Sequence, residues 1–519
     1  MADTKKKNNN KDNGEKKSAV HKFLNFVEKW GNKLPHPFTL FVILTAFLVL
    51  LSFIVGIAGV AVDHPTKDTV VEARNLLSGE GVQYMILNLL DNFTGFRPLG
   101  LVLGMMLGIG LAEKAGLMSA FMKKFMLGAP ERLLLAAIFL IGICGNIASD
   151  AALIIVPPLA GAIFYGTNRN PLVGVAAGYA AASAGFTANL VIAGTDALLA
   201  GITEEAAQSV LPGISVSPTV NYYFMIVSAL ILTVVGAWVT KRFVEPQAGE
   251  YTVEQEIDED ENLKDLTEKE NLGLRRAGIV TLIYWAIVVI SMIPKNSPLR
   301  GAEGTIIPST FLSGIVPFIL FWFIAIGIAY GITVGTIESE SDVPKLMTES
   351  MSEMAGYIVL VFVIAQFVSY FNWTNLGMII AVKMAGLLEA INVTGLPMVI
   401  GVILVSTTIN LFIGSGSAKW ALLSPVFVPM FVMLDYSPAF AQLAYRIGDS
   451  TTNAITPLMP YFPIVLGFMK KYDEDSGIGT VVSYILPYTI AFGLIWIILI
   501  SLWFFFDIPL GPGASIFMQ

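Results

Sequence analysis

Five charged side chains fall inside or at the edge of long apolar stretches: Asp150, Asp196, Lys419, Arg446 and Asp449. A charge at membrane depth costs roughly 2.5–3.5 kcal/mol on insertion scales, so such residues usually mark function. Arg446 and Asp449 stand at i and i+3, on one helix face, and that spacing predicts a pair. The pair could merely neutralise itself and hold two helices together. The other reading gives each residue a ligand. A guanidinium is permanently charged and can grip a substrate carboxylate through two parallel hydrogen bonds. Asp449, near Asn453, suits a proton or a hard cation. Lys419 could snorkel, contact substrate, or pair with Asp150. Asp196 could carry a coupling ion or simply close the outer end of its span.

Other chemistries find no support. The segment GSGSAKW lacks the spacing and the Lys-Ser/Thr ending of a phosphate loop, and neither HExxH nor GxSxG occurs. Ser417 and Lys419 are nominally a hydrolytic dyad, but at i and i+2 of a helix they diverge. The single cysteine, Cys144, excludes an intrachain disulfide and a cysteine-based metal site. His21, His36 and His64 lie outside the clear spans, which argues against a histidine proton relay within the membrane. No enzyme activity, cofactor or nucleic-acid partner is expected.

The elements that must position these residues are membrane helices. Of the 519 residues, 55% are hydrophobic and 13% charged, and mean hydropathy is +0.71. Soluble domains carry about 25% charged residues, and a run of ~18 apolar residues is enough for a spanning helix. Full spans are expected at 38–62, 98–113, 172–200, 221–243, 277–294, 309–333, 354–371, 439–469 and 477–506. Two more apolar stretches, 133–165 and 395–434, are interrupted by Gly, Ser and Asn. The fold expected is an all-α polytopic membrane protein with about nine transmembrane helices and two opposed re-entrant hairpins.

The chain divides accordingly. Residues 1–35, rich in Lys and Asn, read as a disordered cytoplasmic tail. A first membrane half, 36–245, holds hairpin 1 (133–165). An acidic linker, 246–276, supplies much of the net charge of −8. The second half, 277–519, holds hairpin 2 (395–434). With the N-terminus inside, Lys and Arg concentrate in cytoplasmic segments, leaving only Lys67, Arg74, Arg97, Lys295, Arg300 and Lys383 outside. That bias sets the orientation and places the C-terminus outside.

The interrupted stretches resemble each other. In GNIASDAALIIVPPLAGAIF, Ser149 precedes Pro157 by the spacing at which Ser417 precedes Pro425 in GSGSAKWALLSPVFVPMF. Downstream, Thr187-Ala-Asn189 matches Thr451-Thr-Asn453 at nearly the same offset. By the topology above the two copies enter from opposite sides, an inverted repeat of the kind secondary transporters use. Irregular backbone survives at membrane depth only where protein buries it or a cavity solvates it. Hairpin tips and unwound Thr-x-Asn segments therefore read as the walls of one midplane site. Asn146, Ser149, Asn189, Thr451 and Asn453 offer hard oxygens there for Na+ as a candidate coupling ion, and a proton suits the same carboxylates. Trp420, beside the tip, is either packing or a stacking surface for an aromatic substrate.

The segments IGSGSAKWALLSPVFVPMF, AYRIGDSTTNAITPLMPYF, NFTGFRPLG and WGNKLPHPFTLF together resemble the AbgT family of p-aminobenzoyl-glutamate transporters, from about Phe23 to Pro512. The resemblance implies a homodimer in the bacterial inner membrane, each protomer with nine spans and two opposed hairpins split between a scaffold and a transport core. It implies cation-coupled transport of p-aminobenzoyl-glutamate or p-aminobenzoate-like aromatic carboxylates, and in some members export of sulfonamides. By local match it assigns function to Asp196, Ser417, Trp420, Pro438, Arg446, Asp449 and Pro457, and Asn410 stands beside them. Two positions depart from the family pattern: Lys419 is often a neutral polar residue, and Asp150 a glutamate. A Na+-coupled dicarboxylate symporter on the same fold, with Lys419 and Arg446 both binding carboxylates, is the alternative.

Overall fold

Residues 35–63, 69–148, 151–249, 265–456 and 458–518 are described in a computed structural model of the chain. The N-terminal tail before Pro35, the centre of the acidic linker, Ser149, Asp150 and Pro457 lie outside the described residues.

In chain order the first elements are α1 (Pro37–Ile57), a two-stranded antiparallel ribbon of β1 (Ala61–Asp63) and β2 (Val70–Glu72), α2 (Gly79–Leu87), α3 (Leu89–Thr94), α4 (Arg97–Lys114) and α5 (Leu117–Leu127). Next come α6 (Leu134–Cys144), α7 (Ala151–Gly166), α8 (Pro171–Ala184), α9 (Gly194–Gln208) and α10 (Tyr222–Val239). The second part contains α11 (Glu268–Met292), α12 (Ile315–Val334), α13 (Asp342–Glu353), α14 (Ala355–Trp373) and α15 (Leu376–Ala390). It closes with α16 (Leu396–Asn410), α17 (Gly416–Met433), α18 (Pro438–Thr451), α19 (Phe462–Lys470) and α20 (Ile478–Phe506).

Among the described residues seven helices are long and apolar enough to cross a membrane, and α4 with α5 forms a further candidate bent by 62° at Ala115-Gly116. Of the expected spans, 38–62, 221–243, 277–294, 309–333, 354–371 and 477–506 are single long helices, whereas 172–200 and 439–469 are each two short ones. Hydropathy reads across such a break because the intervening residues are still apolar or small. Backbone hydrogen bonding does not continue through it.

Proline placement explains several helix starts. Pro37, Pro171 and Pro438 each occupy the first helical position, where a missing N–H costs nothing and φ is already helical. Asn170 Oδ1 caps α8 by accepting from Leu172 N at 3.0 Å. The helices that follow the two interruptions, α7 and α17, each carry two internal prolines: Pro157 and Pro158 in one, Pro425 and Pro429 in the other.

The core sits around α8, every residue of which is buried. Its alanines and glycines let α7 approach closely. A Cβ on Gly174 would lie 2.4 Å from the Ala160 carbonyl oxygen. Small residues of this kind permit backbone contact where no hydrophobic driving force separates helix from lipid. By contrast α1 and α11 leave most of their apolar side chains exposed, Leu282 at 73% for example, as helices facing acyl chains do.

Candidate functional site

The Gly-Ser-Gly-Ser segment is a turn followed by a helix start. α16 ends at Asn410, residues 411–415 are non-helical, and α17 begins at Gly416. Ser415 caps it, Oγ accepting from Ala418 N at 3.4 Å. In the earlier copy, α6 gives way to a 3-10 turn at Gly145–Ala148 before α7. Thr187 and Asn189 lie in the non-helical segment between α8 and α9, and Thr451 and Asn453 stand where α18 ends, before α19. Both turns and both breaks meet at one cavity of about 750 Å³. Asn146 and Ile147 line it from the first turn, residues 412–417 from the second, Phe186 and Thr187 from one break, and Asp449, Asn453 and residues 458–461 from the other. A larger groove of about 900 Å³, between α10 and α20, has an almost wholly apolar wall with no charged residue.

The buried charges pair differently from the expectation. Arg446 does not pair with Asp449 one turn away. Its Nη2 donates to Asp196 Oδ1 at 2.5 Å and to the Thr187 carbonyl at 2.9 Å, linking α18 to α9 and the first break. Asp449 is held by Lys419, Nζ to Oδ1 at 2.6 Å. Sharing a helix face allowed the i, i+3 contact, but the folded backbone brings Asp196 to Arg446 and Lys419 to Asp449 instead. Lys419 neither snorkels nor reaches the cavity wall; it is fully buried. Asp196 is 4% exposed and sits at the start of α9, where it also accepts from Ala193 N at 2.7 Å. Of the two alternatives for Asp196, closing the outer end of a span does not hold, because the residue is buried in the first turn of a helix.

Asn410 joins the second pair to the break. Its amide nitrogen donates to the Asp449 carbonyl at 2.5 Å, and to Thr452 Oγ1 and Asn453 Oδ1 at 2.9 Å each, while its Oδ1 accepts from Lys419. Ser417 and Asp449 line the cavity, as do Asn146 and Asn453. Asn189, Thr451 and Arg446 are buried and do not line it, and Pro438 is buried at the opposite end of α18 from Asp449, beside Ser437, which hydrogen-bonds the C-terminal segment. Several oxygens in the first set of elements have no hydrogen-bond partner: Asn146 Oδ1, Asn189 Oδ1 and Thr195 Oγ1. Arg446 Nε and Nη1 are likewise unpartnered. Unsatisfied polar atoms are rare in a packed interior, and such a cluster needs a reason.

Trp420 is fully buried, stacks on Tyr445 at 4.5 Å, and does not line the cavity. Its indole N–H donates to Thr203 Oγ1 at 2.9 Å, Thr203 donates to Gln442 Oε1 at 2.6 Å, and Gln442 donates to Asn221 Oδ1 at 2.9 Å. Sequence reasoning missed this chain. Its signal was there in part, since Gln442, Arg446 and Asp449 fall on one face of α18. Thr203 and Asn221 are single polar residues in apolar runs and gave none. His36, set aside for lying outside the spans, lines the cavity together with Pro35 and Pro37 at the start of α1.

A profile described as the "AbgT putative transporter family" matches residues 22–518. The chain belongs to the AbgT family. Over 497 residues it is 43% identical to the p-aminobenzoyl-glutamate transport protein of Escherichia coli (strain K12), covering 96% of this chain and 97% of that protein. Two solved structures of AbgT-type transporters share the fold. The Alcanivorax borkumensis YdaH transporter is 37% identical, with TM-score 0.87, over 92% of this chain and 100% of that one. The Neisseria gonorrhoeae MtrF structure, described as illuminating a class of antimetabolite efflux pumps, is 40% identical, with TM-score 0.89, over 95% and 100%. As an AbgT member the chain is a membrane transporter and not an enzyme.

Proposed function

We propose that the protein is a cation-coupled secondary transporter of p-aminobenzoyl-glutamate or p-aminobenzoate-like aromatic carboxylates, with sulfonamides as candidate exported substrates. The observation that carries this reading is the single cavity on which two turns and two helix breaks converge, with Asp449 on its wall. Its volume of about 750 Å³ falls in the range of small-molecule sites, roughly 300–1,000 Å³. The unpartnered Nε and Nη1 of Arg446 are donors that a substrate carboxylate would satisfy once the wall moves. Asp196 and Asp449 are the acids for coupling, and the unpartnered Asn146 and Asn189 oxygens are candidate ligands for Na+.

In this reading the two membrane halves act as repeats of opposite topology, the protomers pair as a homodimer, and the N-terminus is cytoplasmic in the bacterial inner membrane. The cavity reaches Pro35 and His36, so the charge bias of the sequence makes this the inward-facing state. The dicarboxylate alternative needs Lys419 as a second carboxylate ligand, and Lys419 is enclosed behind the cavity wall against Asp449 and Asn410.

The test is flux of labelled p-aminobenzoate and p-aminobenzoyl-glutamate in proteoliposomes under imposed proton or Na+ gradients, with Asp449→Asn as control. Flux should follow one gradient and disappear in the variant. Movement of succinate or citrate in place of both aromatic compounds would overturn the substrate class.

A further inference from the structure

Asp449 faces the cavity, yet its charge is answered from behind. Lys419 lies outside the cavity wall and is fully buried; its Nζ forms an ion pair with Asp449 Oδ1 at 2.6 Å and donates to Asn410 Oδ1. The other groups around this carboxylate are also fixed. The Tyr445 hydroxyl donates to Oδ1 at 3.1 Å. The far oxygen lies beside the start of α17, where a Cβ added at Gly416 would stand 3.1 Å from Asp449 Oδ2. Asn410 is oriented by its three amide donations, so its carbonyl oxygen is aimed at the ammonium and nowhere else.

A carboxylate oxygen and an amide oxygen, held by a turn at a helix start, are the hard ligands that Na+ or another hard cation takes. In this chain the place is filled by a covalently tethered ammonium. The pair is also self-contained: α16, α17 and α18 supply every group in it. The Arg446–Asp196 pair differs in kind, because it joins α18 to α9 of the other set and leaves guanidinium nitrogens unpartnered.

We propose that Lys419 is a resident cation, filling the cation site at Asp449 and barring free Na+ from it. The inference rests on reading the cavity as the transport site, and it narrows the choice of coupling ion there. Na+ does not couple at Asp449, and any Na+ the transporter uses binds elsewhere. A neutral side chain at position 419 turns Asp449 and Asn410 into a vacant site that Na+ can enter.

The experiment uses the purified full-length protein at about pH 8.5, where a free carboxylate is ionised. Thermal denaturation is followed in NaCl and in choline chloride at equal ionic strength. Wild type and Lys419→Arg should melt alike in both salts. Lys419→Met should melt lower than wild type in choline and recover with Na+ in a saturable way, by about 3 °C or more, as binding to the folded state alone requires. Lys419→Met combined with Asp449→Asn should lose the Na+ response.

Three results would overturn the proposal: a wild type that responds to Na+ as strongly as Lys419→Met, a Lys419→Met with no Na+ response, or a Lys419→Met that fails to fold in Na+ as well as in choline. The melting readout needs no substrate. A wild type that moves neither aromatic carboxylate would therefore count against the transport reading alone, and the melting series would still decide the role of Lys419.

Discussion

The order α6, turn, α7, α8, break, α9 is repeated as α16, turn, α17, α18, break, α19. The two sets are built alike, with paired prolines in α7 and α17 and Thr-x-Asn at both breaks, but their charges differ. Among the described residues both deeply buried cations, Lys419 and Arg446, belong to the second set, and the acids they meet, Asp449 and Asp196, come one from each set; α9 also buries Glu204, which meets Arg97 of α4. One cation stays at home with Asp449; the other crosses to Asp196. The first set is left with unpartnered oxygens on Asn146, Asn189 and Thr195, and the second has its counterparts Asn410 and Asn453 in hydrogen bonds. A sequence repeat thus preserves backbone form while charge placement differs: both buried cations stand in the second copy, and unpartnered polar atoms remain in both, with Ser406 Oγ, Ser424 Oγ and two Arg446 nitrogens in the second.

The largest expected effect comes from cutting the crossed pair. Arg446→Met leaves Asp196 buried without its cation, and removing one partner of a buried ion pair costs about 3–5 kcal/mol. Arg446→Met with Asp196→Asn should recover most of that loss in thermal denaturation, though not transport. Equal destabilisation of the single and double variants would mean that the pair is not what ties the two sets together.

Packing gives the next effect. Gly174→Ala forces a methyl against the Ala160 carbonyl, and overpacking of this kind costs about 1–3 kcal/mol. Gly278→Ala, on the exposed α11, meets nothing within 4 Å and should change the melting midpoint little. A smaller loss is expected for Trp420→Phe. It preserves a ring against Tyr445 but gives up the bond to Thr203, at about 0.5–1.5 kcal/mol. A large drop in substrate affinity without a change in stability would instead point to direct contact with substrate.

The smallest effect lies away from the membrane. Backbone N–H groups of Ser339 and Glu338 hold the exposed Asp342 carboxyl below the usual carboxylate range. Because the folded value is depressed, this cap is intact above the unfolded value of about 4 and is lost as pH falls through the folded one. Protection of the Ser339 amide, taken relative to its intrinsic exchange rate, should fall on acidification below that range, and Asp342→Asn should remove that change.

Much of the architecture was legible because apolar length and composition report directly on membrane spans. α1, α11, α12, α14 and α20 stand where hydropathy put them. The short amphipathic helices α5 and α13 were not, since neither is apolar enough to register as a span. The candidate site was half legible. Asp196, Asn410, Ser417, Arg446, Asp449 and Asn453 stand at or just behind one cavity, as their unusual chemistry in apolar surroundings implied. Their pairing was not readable. Local spacing offered Arg446 to Asp449, and only the approach of α9 to α18 supplies the better partner. Of the two readings open for Trp420, packing or a stacking surface, the structure places the ring against Tyr445 and away from the cavity lining.

By itself the sequence determined that this chain is a polytopic membrane protein of the AbgT family, interrupted twice by polar turns and twice by Thr-x-Asn. Apolar runs, glycines and prolines act over a few residues, so their consequences are local and can be read in order. Tertiary structure alone decided which acid faces which cation, that His36 reaches the cavity, and that Lys419 is enclosed. Those outcomes depend on distances between segments far apart in the chain, and a buried charge pairs with the opposite charge that the folded backbone brings within reach.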